Sequence, residues 1–132
     1  MAATANEGRI TGLDHVQLTM PAGHEAEATC RAFYLEALGL REIEKPEVLK
    51  PRGGIWFQGA GFQLHLSIED VMVTRRHPGL VTDDLEAIRA RVEAAGYATV
   101  SDPGIPGVRR FYVTDPFQNR IEIQEYEPGF SR

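Results

Sequence analysis

Residues 13–19 alternate apolar and polar side chains and predict a strand with Val16 and Leu18 on one face and His15, Gln17 and Thr19 on the other. Over residues 25–38 the period becomes helical. It gathers Cys30, Phe33, Tyr34, Ala37 and Leu38 on one side, and Gly39 follows as a C-terminal stop. Short strands are expected at 40–44 and 54–58, around a loop with Pro46, Pro51 and the pair Gly53-Gly54. After the turn Gly59-Ala60-Gly61, residues 62–68 give the clearest strand of this half, with Phe62, Leu64, Leu66 and Ile68 on one face.

The second half repeats the plan. Residues 77–82 predict a short strand, and Asp83 a helix N-cap, with Glu86 three positions on as in a capping box. Leu85, Ile88 and Val92 form the helix stripe, which Gly96 ends. Strands at 97–100 and 109–113 enclose a Pro/Gly loop, and the turn Asp115-Pro116-Phe117-Gln118-Asn119 leads into strict alternation over 120–126. Leu64-His65-Leu66 closes the first half as Ile121-Glu122-Ile123 closes the second. The expected fold is α+β: one domain over 10–127, made of two βαβββ modules (10–70 and 76–127). Both helices should pack on the convex side of a curved, eight-stranded mixed arrangement whose other face surrounds a metal site.

Strand parity then picks out the chemistry. His15, His65 and Glu122 each stand between core-facing apolar neighbours and so point away from the core, with Gln17, Gln63, Ser67, Arg120 and Gln124 beside them. His77 opens the fifth strand and could reach the same space. Imidazoles with one carboxylate suit Zn²⁺, Ni²⁺, Co²⁺, Fe²⁺ or Mn²⁺ and leave positions open for substrate. A single strand histidine is more often a surface or hydrogen-bonding residue; here three of the four histidines, with Glu122, fall at equivalent places in the repeat. His24 fits no such pattern and reads as surface. Trp56 lines the pocket or packs in a sheet or dimer contact. Arg110 shares a face with Tyr112 and could neutralise an anionic substrate, although a solvated arginine is the more ordinary reading. Phe111 reads as core, and Phe117 and Asn119 as turn residues.

Composition narrows the partners. A net charge of −5, with basic residues scattered apart from Arg75-Arg76 and Arg109-Arg110, argues against a nucleic-acid surface. No run approaches the ~20 apolar residues of a membrane span. One cysteine, Cys30, excludes an internal disulfide and suits a reducing cytoplasm. Residues 1–9 lack the apolar centre of a signal peptide and read as a frayed tail.

The segments GLDHVQLTM (12–20), RAFYLEALGL (31–40), VTDDLEAIRARVEAAG (81–96) and FYVTDPFQNRIEI (111–123) resemble the vicinal oxygen chelate superfamily of glyoxalases, bleomycin-resistance proteins and extradiol dioxygenases. The resemblance runs from Leu13 to Tyr126 and implies metal ligands at His15, His65, His77 and Glu122. Enzymes of the glyoxalase I type commonly place a glutamate where this chain has His65. Fosfomycin-resistance and dioxygenase types use only the positions of His15, His77 and Glu122, which would leave His65 as a base or a support; we take it as a fourth ligand. Tyr112 resembles a substrate-contacting tyrosine of the fosfomycin type, but no potassium-binding loop matches.

The resemblance also implies a homodimer in which His15 and His65 of one chain meet His77 and Glu122 of the other. The metal would act as a Lewis acid on two neighbouring oxygens of a small substrate. A lyase or isomerase of the glyoxalase type comes first, with His65, Tyr112 and Glu122 as catalytic residues and Gln17, Trp56, Arg110, Tyr112 and Gln124 lining the pocket. The alternatives are a non-haem Fe(II) dioxygenase, a thiol transferase or acyl-CoA epimerase, and a metal-free drug- or metabolite-binding protein.

Overall fold

A computed structural model describes residues 8–130. The tail expected over 1–9 therefore lies mostly outside the described residues. Strand β1 (His15–Met20) leads into helix α1 (His24–Arg31), which runs on as a π-helical turn (Ala32–Ala37). Strand β2 (Arg41–Ile43), a 3-10 turn (Glu47–Arg52), β3 (Ile55–Gly59) and β4 (Phe62–Ile68) complete the first module. The second comprises β5 (Gly79–Val81), α2 (Leu85–Ala94), β6 (Thr99–Ser101), β7 (Val108–Thr114) and β8 (Arg120–Tyr126). Each module is thus a βαβββ unit, as expected.

The strands form two four-stranded mixed sheets, one per module, ordered β1-β4-β3-β2 and β5-β8-β7-β6, that do not join edge to edge. One reason lies on the free edge of β1. The Thr19 N–H donates to Asn119 Oδ1 at 3.3 Å, and Asn119 Nδ2 donates to the Thr19 carbonyl at 2.7 Å. A side-chain amide thereby occupies backbone groups that another strand would need.

The helical stripes are as expected. Cys30, Phe33, Tyr34, Ala37 and Leu38 are all buried, and they join Phe57, Leu64, Leu66, Leu85, Val92, Phe111, Ile121 and Ile123 in a core shared by both modules. Each fully buried large apolar side chain contributes about 1.5–3 kcal/mol. Burial pushes the Cys30 thiol up to about 12, with Asp115 adding to the shift, so this cysteine behaves as a small core residue.

Helix α2 is capped one residue later than expected. Asp84, not Asp83, accepts from the Ala87 N–H at 3.1 Å, and Glu125 accepts from the Leu85 N–H at 2.7 Å. Glu86 pairs with Arg89 and Arg109 instead of completing a capping box.

The β7–β8 turn also bolts the modules together. Tyr34 OH donates to Asp115 Oδ2 at 2.5 Å, while Asp115 Oδ1 accepts from the Phe117 and Asn119 N–H groups. Burial raises the Asp115 carboxyl above its ordinary range, although these hydrogen bonds pull the other way. Phe117 and Asn119 are therefore packing and bridging residues as well as turn residues; both are buried.

Candidate metal centre

The parity of β4 and β8 holds. Leu64, Leu66, Ile121 and Ile123 enter the core, and His65 and Glu122 leave it on the opposite faces of their sheets. Each becomes the centre of a separate cluster.

On the first sheet His65 is paired in register with Gln17 on β1 and Trp56 on β3. Its ring is sandwiched, with the Trp56 ring at 3.7 Å and the His15 ring at 4.2 Å, both nearly parallel to it. His65 is only 4% exposed. A relay of amides sets its tautomer. Gln58 Nε2 donates to the carbonyls of Gly59 and Phe62, so Gln58 Oε1 accepts from Gln63 Nε2, and Gln63 Oε1 accepts from His65 Nε2–H at 2.8 Å. The open lone pair of His65 is therefore on Nδ1. Burial lowers its pKa, and His15 lowers it further, so the ring is neutral at pH 7. His15 has the reverse arrangement: Nδ1–H donates to Asp14 Oδ2 at 2.8 Å and Nε2 is left open.

On the second sheet His77 precedes β5 and reaches Glu122, Nε2 to Oε1 at 3.0 Å. A carbonyl oxygen can only accept, so the 2.8 Å contact from His77 Nδ1 to the Arg75 carbonyl fixes the proton on Nδ1. His77 Nε2 and Glu122 Oε1 thus face each other as two potential ligand atoms, a pairing that a cation could bridge. The second carboxylate oxygen accepts from Arg110 Nη1 at 3.4 Å. Tyr112, in register with Glu122, meets the His77 ring edge-on at 5.2 Å.

Arg110 is not a solvated arginine. Its side chain is 13% exposed and donates to Asp102, Tyr112 and Glu122. Burial works against its charge, but Glu122, Tyr112 and Asp102 outweigh burial and raise its pKa. Asp102 escaped the sequence reading because it lies in the β6–β7 loop and follows no alternation. Gln124 is buried opposite Arg110 in the register, and Gln17 shares a cavity of about 610 Å³ with His77, Thr19 and Asn119. His24 is exposed.

The four expected ligands are thus brought together as two pairs, His15 with His65 and His77 with Glu122. Among the described residues, no group of three or more His, Cys, Asp or Glu within one chain could hold a metal ion. The donor chemistry fits a divalent ion, but each pair supplies only two side chains.

The fold and these paired clusters define a glyoxalase-like protein. The family model for the Glyoxalase/Bleomycin resistance protein/Dioxygenase superfamily matches residues 12–123, and the chain belongs to that superfamily. It is 39% identical to a glyoxalase family protein from Bacillus anthracis, whose structure matches with a TM-score of 0.84 over 92% of this chain and 99% of that one. A lactoylglutathione lyase from Agrobacterium tumefaciens shares the fold at 20% identity and a TM-score of 0.68, over 89% of this chain and 95% of that one. So does a fosfomycin resistance protein from Listeria monocytogenes, solved with Mn(II) and 1S,2S-dihydroxypropylphosphonic acid, at 20% identity and a TM-score of 0.70, over 87% and 90% of the two chains. No curated protein matches the chain. No helix among the described residues is long and apolar enough to cross a membrane.

Proposed function

We propose that the protein is a divalent-metal-dependent enzyme of the glyoxalase type, a lyase or isomerase acting on a small substrate with two neighbouring oxygens. The observation that carries this reading is the pair of half-sites. Equivalent positions of the two modules each present an imidazole whose Nδ1–H is engaged by an oxygen; Nε2 is open in His15 and faces Glu122 Oε1 in His77. Neither half suffices alone, so the complete site would form in a homodimer, between the first module of one chain and the second of its partner. The Listeria relative, at low identity, was solved with Mn(II), which is consistent with a divalent-metal site.

His15, His77 and Glu122 would hold the ion, which when bound supplies Lewis acidity toward the two substrate oxygens. The stack around His65 favours a different part for that residue from the fourth ligand expected above. Stacked, nearly parallel rings confine their in-plane lone pairs to separate planes, so His15 and His65 do not converge on one point as they stand. His65 suits a general base: neutral at pH 7, backed by the Gln63–Gln58 relay, with Nδ1 open to take a proton from carbon and return it to the neighbouring one. Tyr112 accepts from Arg110 and keeps its own O–H to donate to substrate. Trp56, Gln17 and Gln124 would shape the pocket.

A second reading rests on the same geometry. With His65 held off by its stack, the remaining set is two histidines and one carboxylate, the arrangement of non-haem Fe(II) oxygenases. Elemental analysis and titration with Zn²⁺, Ni²⁺, Mn²⁺ and Fe²⁺ test the metal reading. One ion per chain with turnover of a hemithioacetal supports the isomerase; ferrous-dependent oxygen uptake with catechols supports the alternative. A protein that binds none of these ions sinks both.

A further inference from the structure

Arg120 stands two residues before Glu122 on β8 and shares its face, about 7 Å away along the strand. Its guanidinium carbon lies 3.9 Å over the Tyr112 ring. Among the described residues it forms no ion pair, unlike Arg110, which is held by Asp102 and Glu122. The sequence suggested Arg110 as the group that neutralises an anionic substrate. In the structure that guanidinium is already committed, and Arg120 is the cation left over.

Three observations converge on this residue. The first is charge. Arg110 contacts both Asp102 and Glu122, whereas Arg120 contacts neither, so its positive charge has no carboxylate partner among the described residues. The second is geometry. A guanidinium lying over an aromatic face is covered on that side and keeps its in-plane N–H edge for bidentate contact with an oxyanion. The Tyr112 hydroxyl accepts from Arg110, so its own hydrogen is left to donate. The third is space. A cavity of about 430 Å³ is lined by Arg120, Tyr112, Gln118, Thr74, Val73 and Val100, a size suited to a small ligand group.

We infer that Arg120 and Tyr112 form an oxyanion subsite, and that the substrate carries a carboxylate or phosphate-like group beside its two neighbouring oxygens. As a statement about the substrate of the proposed enzyme this rests on the metal-site reading; the anion site itself does not need the metal.

The test uses metal-free, full-length protein titrated with acetate and with inorganic phosphate, and with acetamide as the neutral control. Binding is followed through the side-chain Nε–H resonance of Arg120 and the ring resonances of Tyr112. At least one of the two anions should shift these signals at concentrations where acetamide does not. Arg120→Gln should weaken that anion about tenfold or more, the scale of a charged hydrogen bond, with an unchanged backbone spectrum. Acetate preference points to a carboxylate substrate, phosphate preference to a phosphorylated or phosphonate one. Equal anion affinity in wild type and Arg120→Gln, or no shift at Arg120 with either anion, overturns the inference. A parallel Zn²⁺ titration keeps the two claims apart. Arg120-dependent anion binding without metal binding would leave the subsite standing and remove the enzyme reading; metal binding with Arg120-independent anion affinity would do the reverse.

Discussion

His77 and Glu122, 45 positions apart in sequence, meet with Nε2 and Oε1 3.0 Å apart while the other imidazole nitrogen donates to the Arg75 carbonyl. This points an imidazole nitrogen and a carboxylate oxygen at each other on the pocket face of the second sheet. Glu122→Gln keeps the size of the side chain and removes its charge. It should abolish measurable Zn²⁺ binding by calorimetry while circular dichroism stays native. The loss of Arg110's charged partner should cost about 1–3 kcal/mol in urea unfolding. Wild-type Zn²⁺ affinity in this variant would remove Glu122 from the ligand set.

The stacked His65 gives a pH signature. Its folded pKa lies below the ordinary 6.5, first because burial disfavours the imidazolium and then because His15 is close. The unfolded chain therefore binds more protons in the interval between the two pKa values. Stability from this residue is fully present above about 6.5 and is lost as pH falls through the folded pKa. In metal-free protein, the His65 ring resonances should titrate below 6.5, and His65→Gln should flatten that part of the stability profile. A midpoint at or above 6.5 would contradict the neutral, buried base.

The sequence was most legible where alternation was strict and long. Residues 62–68 and 120–126 were bounded correctly, and their parity alone put His65 and Glu122 on the faces away from the core. The three-residue strands β2, β5 and β6 were placed only approximately, because so few positions carry no period. Nothing local marks the π-helical turn at Ala32–Ala37, since its hydrophobic spacing still reads as helix. Asp102, Asn119 and the fate of Arg110 were illegible for another reason: their partners lie across loops and between modules, 100 positions away in the case of Asn119 and Thr19. Arg120 was visible only as a polar neighbour of Glu122; its stacking on Tyr112 needs the β7–β8 register.

The link between modules should be measurable as stability. Tyr34→Phe removes one donor from a buried carboxylate that keeps its other partners, and should cost about 1–3 kcal/mol. Asn119→Ala removes both bonds to the Thr19 backbone as well as the contact to Asp115, and should cost more than Tyr34→Phe. Denaturant titration of both variants checks the order. Negligible costs in both would mean that the core alone holds the modules together.

Gly54 precedes β3 at φ +85°, and a Cβ there would sit 2.2 Å from the Leu66 carbonyl oxygen on β4. Neither the backbone conformation nor the space admits a side chain. Gly54→Ala should destabilise the protein by more than about 2 kcal/mol and loosen the Trp56–His65 stack beside it. Near-ultraviolet circular dichroism reads the Trp56 environment directly. An unchanged melting temperature and tryptophan signal would show that this strand approach is not tight.

The central claim is that two half-sites on different chains make one metal site, and mixing two defective variants tests it. His15→Ala and Glu122→Gln each disable every site in their own homodimers. Unfolded together and refolded at equal amounts, they form heterodimers in which one site has both defects and the other has none. With half the dimers mixed, about a quarter of all sites should bind Zn²⁺ with wild-type affinity. Recovery of that fraction, absent from either variant alone, is the predicted result; a mixture that binds no more Zn²⁺ than its two components would contradict the shared site.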